Sequence, residues 1–119
     1  MYASSPEELK KIIPICDGVW NKDYLYEYLV WHANIKFTDY IDRFFDNYLH
    51  DENLADVLFS FLLNADYDGS DSQMGAARIL SKMDRQLLQA KKELLLHAQG
   101  NEVCWKRPFL DAKDLDWLL

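Results

Sequence analysis

The sequence predicts an all-α fold: a single compact domain over residues 1–119, with six to eight helices arranged as successive αα-hairpins, in a bundle or a short solenoid-like stack. Three observations predict it. Apolar residues recur at helical spacing in Ile41, Phe44, Phe45, Tyr48 and Leu49, and again in Leu54, Val57, Leu58, Phe61, Leu62 and Ala65. Helix-starting residues stand ahead of such runs along most of the chain. No segment of four or more residues alternates strictly, as a half-buried strand would. Half of the 119 residues are hydrophobic, enough for a core that needs neither disulfides nor a structural metal.

The elements follow in order. Ser5-Pro6-Glu7-Glu8 joins a capping box to a proline at the first helical position, so a helix starts there, and Pro14 with Asp17-Gly18 ends it. Asn21 caps a second helix that runs to about Ile35. Seven of the eight positions from Tyr24 to Trp31 are apolar or aromatic, which places this helix at the centre of the core or under a partner. Thr38 caps a third, with Asp39 and Asp42 in the first turn, where the helix dipole favours them. The short break at His50–Asn53 makes the next stripe, Leu54 to Ala65, its antiparallel neighbour. Asp66 to Asp71 is a polar turn, after which Ser72 caps a helix with Ala76, Ile79, Leu80 and Met83 on its core face. Asp84 starts another, with Leu87, Leu88, the stem of Lys91, Leu94, Leu95 and Ala98 on one side and Gly100 at its end. Asn101 to Trp105 forms a short helix ended by Pro108, and Asp111 to Leu119 a further turn or two.

Charge is unevenly spread. The formal net charge is −7, with −2 in residues 1–35, −7 in residues 36–72 and +2 in residues 73–119. An acidic segment of this kind repels nucleic acid and attracts basic partners, although a solvated helix face is the plainer explanation. The basic residues Arg78, Lys82, Arg85, Lys91 and Lys92 are too diffuse to make a nucleic-acid site, and they too read as a solvated face. Cys16 and Cys104 are single cysteines among apolar neighbours and are expected to be core or half-buried. The chain turns charged by Lys11 before any apolar run develops, and Val57–Leu63 is far shorter than the roughly 20 residues of a membrane span. A soluble cytoplasmic protein without membrane contact is expected.

Candidate chemistry is sparse. Asn64-x-Asp66-x-Asp68-Gly69 matches the first half of an EF-hand loop, but position eight is Asp71 and position twelve is Gly75, where a bidentate Glu is required. His32, His50 and His97 lack a second ligand at helical spacing, and His32 reads as a core histidine with one hydrogen bond. No nucleophile elbow, phosphate loop or Cys/His arrangement is present, so neither an enzyme nor a bound cofactor or metal is expected. The 17 aromatic residues exceed the needs of so small a core. Among Tyr24, Tyr26, Trp31, Tyr40 and Tyr67 two or three are expected at the surface, where aromatic side chains serve interfaces.

The stretch Tyr67-Asp68-Gly69-Ser70-Asp71-Ser72-Gln73-Met74-Gly75-Ala76-Ala77, with Leu87-Leu88 and Trp105-Lys106-Arg107-Pro108-Phe109 downstream, resembles helical immunity proteins of bacterial toxin systems, in particular those of contact-dependent growth inhibition. The resemblance spans about residues 40–110 and rests on a pattern rather than a catalytic motif. It implies a cytoplasmic protein that binds one cognate toxin domain, often a nuclease with a basic cleft. On that footing Asp39, Asp42, Asp46, Asp66, Asp68 and Asp71 are expected to stand in for phosphates, with Tyr67 as a buried anchor; Asp39, Asp42 and Asp46 can share one helix face. The competing readings are an acidic nucleic-acid mimic that inhibits a DNA-binding enzyme, and an enzyme or metal-binding regulator built on the Asn64–Gly69 loop. A mimic would spread acid over most of its surface, and the mildly basic C-terminal third argues against it.

Overall fold

The computed structural model describes residues 4–64, 66 and 70–98. Within them lie α1 (Pro6–Lys11), a hairpin of β1 (Ile15–Cys16) and β2 (Val19–Trp20), α2 (Lys22–Ala33), α3 (Thr38–Phe45), α4 (Glu52–Leu62), α5 (Asp71–Leu80), α6 (Arg85–Ala90) and α7 (Lys92–Ala98). A 3-10 turn at Asp46–Tyr48 follows α3 directly. The described residues are mostly helical and pack around one hydrophobic core. Ala65, Gly100, Cys104, Trp105, Pro108 and the expected helical turns after Gly100 lie outside the described residues.

Local signals set most helix starts. Ser5 Oγ accepts from the Glu8 amide at 3.3 Å, while Glu8 Oε2 reaches back to the Ser4 amide at 2.8 Å, a capping box displaced by one residue. Asn21 Oδ1 accepts from the Tyr24 amide at 3.1 Å. Asp51 Oδ1 caps α4 through the Asn53 and Leu54 amides, and its Oδ2 accepts from Trp20 Nε1 at 3.3 Å. Two expected caps are displaced. Ser70, not Ser72, caps α5; Ser72 is fully buried. Phe37, not Thr38, precedes α3, in the left-handed region at φ 58° and with no side-chain cap.

Asp17-Gly18, expected only to end a helix, is the turn of the β1–β2 hairpin. Both residues have positive φ, 52° and 78°, which is the type I′ geometry that an Asp-Gly pair favours. The pairing sets Ile15 opposite Trp20 and Cys16 opposite Val19. Trp20 turns inward and packs on Phe44, Phe45 and Tyr48, anchoring the hairpin on α3 and the 3-10 turn. Cys16 is therefore exposed rather than half-buried: it shares the outward-facing pair with Val19.

The core is centred on α5, which packs most closely against α2 and next against α4. From α2 it receives Leu25, Tyr28, Leu29 and His32, at i, i+3, i+4 and i+7. From α4 come Leu54, Ala55, Leu58, Phe59, Phe61 and Leu62, a broader face than the one expected. On α5 itself seven of ten residues are buried, Gly75, Ala76 and Ala77 among them. Small side chains let two neighbours approach one helix at once. At Gly75 a Cβ would stand 2.2 Å from the Leu29 carbonyl oxygen, so the backbones of α2 and α5 touch there. The single helix expected from Asp84 to Ala98 is broken at Lys91 (φ −109°, ψ 26°) into α6 and α7. Leu88 and Leu95 nevertheless remain on the buried side, with the Lys91 stem between them.

Candidate interaction surface

The acidic residues of the middle segment separate into two groups. Asp39, in the first turn of α3, Asp46, at the start of the 3-10 turn, and Asp66 are exposed. Asp71, also exposed, opens α5 and accepts from Asn34 Nδ2 at 3.1 Å, which ties the end of α2 to the start of α5. Among the described residues no cation pairs with these four. The Asp66 amide donates to Asn64 Oδ1 at 2.9 Å, so the start of the polar turn is shaped by an Asx bond. Tyr67 and Asp68 lie outside the described residues.

Asp42 is the exception. It is half-buried, and its Oδ1 accepts from His32 Nε2 at 2.8 Å and from Lys82 Nζ at 2.7 Å. Burial raises its carboxyl pKa, but the bonds to Lys82 and His32 outweigh that and hold it below the usual carboxylate range. Asp42 is thus tied into the fold, whereas Asp39 and Asp46, the latter beyond the end of α3 in the 3-10 turn, remain exposed.

The basic residues turn the other way. Arg78 is half-buried and donates to the His32 and Ala33 carbonyls at 3.1 and 3.3 Å, satisfying the free end of α2. Lys91, with its side chain 14% exposed, donates to Asp56 at 2.6 Å and approaches Glu52 at 3.4 Å; the Asp56 bond above all raises its ammonium pKa. The expected solvated basic face is therefore partly folded inward: Arg78, Lys82 and Lys91 all engage groups of this chain.

Beside Asn34 lies a feature for which the sequence carries no signal. Ile35 is 72% exposed and sits at φ 55°, a left-handed conformation that β-branched residues rarely adopt. Phe37 is left-handed as well, and its ring stacks on Tyr40 at 4.7 Å with Lys10 Nζ above both rings. The α2–α3 corner thus presents an apolar tip near acid at Asp71 and Asp39. Of the aromatics expected at the surface, Tyr26 is exposed, while Tyr24, Trp31 and Tyr40 pack partly against the core.

In the second half of the Asn64–Gly69 pattern, Asp71 is already helical and Gly75 is pressed against Leu29. Among the described residues no three His, Cys, Asp or Glu side chains converge as a metal site, and no helix is long and apolar enough to cross a membrane. No protein-family profile matches the chain, and comparisons with curated proteins and with solved structures find no match.

Proposed function

We propose that this chain is a cytoplasmic immunity protein that neutralises a cognate bacterial toxin domain, a nuclease, by laying an acidic surface over its basic substrate cleft. One observation carries the reading: Asp39, Asp46, Asp66 and Asp71 are exposed and without cationic partners among the described residues, while Arg78, Lys82 and Lys91 are engaged within the fold. Lys82 and Lys91 are matched by Asp42, Asp56 and Glu52, so these pairings leave the net charge of −7 undiminished, and the four open aspartates favour rapid encounter with a basic protein. Ile35, exposed beside this acid, supplies an apolar contact of the kind that slows dissociation. The resemblance of the Tyr67–Ala77 stretch to toxin-immunity proteins supports the same reading.

The test is co-purification of the tagged chain from cells carrying its neighbouring genes, followed by a nuclease assay on the captured partner. A stoichiometric basic domain whose cleavage stops when the chain is added back is the expected result. Capture of a DNA-processing enzyme, with broad displacement of its DNA, would replace this reading with the nucleic-acid mimic. If no captured partner is inhibited, both readings fail.

A further inference from the structure

We propose that His32 is a pH-operated latch: neutral, it holds the end of α2 to α3 and to the exit of α5, and protonated, it releases that joint. The geometry is specific. The ring is 5% exposed, and its Nε2 meets Asp42 Oδ1 at 2.8 Å, the same oxygen that receives Lys82 Nζ at 2.7 Å. Arg78, from α5, binds the carbonyl of His32 itself. The groups acting on the imidazole are therefore Asp42 from α3, Arg78 from α5 and Lys82 from the turn after α5. Among the described residues, two cations and one carboxylate act on this ring.

A carboxylate accepts and does not donate, so in the neutral ring Nε2 carries the proton and donates a hydrogen bond to Asp42. Nδ1 is then a bare acceptor, buried and, among the described residues, without a hydrogen-bond partner. A second proton can only enter at Nδ1, where it becomes a buried donor with no acceptor among the described residues. It also makes a third positive charge beside Arg78 and Lys82, facing the single carboxylate. Burial first, and then the two cations, oppose that charge; Asp42 favours it, and the balance lowers the His32 pKa. Because the folded value lies below the unfolded one of about 6.5, the unfolded chain binds the proton more readily. The contribution of His32 to stability is complete above about pH 6.5 and is lost as pH falls through that value toward the folded pKa. Asp42 keeps its charge across this window, since its own pKa is lowered from 3.8.

The test compares wild type with His32→Gln, whose amide can donate to Asp42 but cannot take a proton. The wild-type unfolding midpoint should fall between about pH 7.5 and about pH 5.5, and the variant should stay flat across that window. Equal pH dependence in the two would overturn the proposal. Should the variant not fold, the wild-type His32 ring can be titrated by NMR, assigned with His50→Gln and His97→Gln. It should titrate below about pH 6.5, with concerted shifts in the amides of residues 34–45. Titration at or above that value, or without those shifts, would overturn it. Lys82→Met should raise the ring pKa by removing one cation, and an unmoved or lowered pKa would count equally against the latch.

Discussion

Tyr28 lies within the core at 1% exposure, and its hydroxyl donates to the Ile12 carbonyl at 2.8 Å, closing the end of α1 against α2. Burial, and then the neighbouring Tyr40, raise its pKa, so it stays a donor at any working pH. Tyr28→Phe should cost about 1–2 kcal/mol, because it leaves a carbonyl without its partner. Urea unfolding checks this, and an unchanged midpoint would mean that water takes over the bond. Ile35 makes the opposite case. Its left-handed backbone costs roughly 1–2 kcal/mol for an L residue, and its exposed side chain recovers little of that by packing. Ile35→Gly should therefore raise stability by about 0.5–1 kcal/mol, net of glycine's greater freedom in the unfolded chain. In the proposed interface the same change should speed dissociation of the toxin domain. A variant that is more stable but binds less well would mark strain kept for recognition; lost stability would mean the side chain packs usefully after all.

Helix α5 shows how an element's place depends on what it lacks. With Gly75 against the Leu29 carbonyl and Ala76 and Ala77 beside it, α5 can be contacted by α2 and α4 together. Elsewhere in an exposed helix Gly→Ala would gain about 1 kcal/mol of propensity. At position 75 the added methyl meets backbone rather than a movable side chain, so Gly75→Ala should destabilise by about 3 kcal/mol or more. A thermal melt of the variant decides it, and a raised midpoint would mean that α2 can move away freely. The break at Lys91 is the other element-scale feature. The ammonium there reaches Asp56 and Glu52 of α4, so a charged residue on a buried stripe joins α4 to the junction of α6 and α7.

For the whole molecule the governing quantity is charge. At a net −7, with much of the acid exposed and unpaired, the fold carries self-repulsion that salt relieves. The thermal midpoint should rise as salt increases from about 10 mM to about 300 mM, while association with a basic partner should slow over the same range. Opposite responses of stability and on-rate are the expected signature, and a partner whose on-rate ignores salt would exclude steering by this surface. Reversing Asp39, Asp46 and Asp71 to Lys should slow association strongly. Its cost to the fold should stay at about 0.5 kcal/mol at Asp39 and be larger at Asp71, which also loses the bond from Asn34 Nδ2.

The sequence by itself determined the fold class, most of the helix starts and the principal buried stripes. These depend on 3.6-residue periodicity and on side chains that bond their own neighbours, as Ser5, Asn21 and Asp51 do. It also located the acid, though it could not sort it: Asp42 has the spacing of Asp39 and Asp46 but belongs to a cluster completed by His32 and Lys82 from distant segments. The Asp-Gly hairpin was legible in its turn chemistry, yet its two-residue strands are too short to alternate visibly. Only the tertiary structure decided that α2 meets α5 at Gly75, that Arg78 turns inward, that Lys91 pairs with Asp56, and that Ile35 is held left-handed at the surface. Each of these is a long-range contact or a strained conformation imposed by packing. Such features are fixed by which helices meet, and periodicity along one helix carries no information about that.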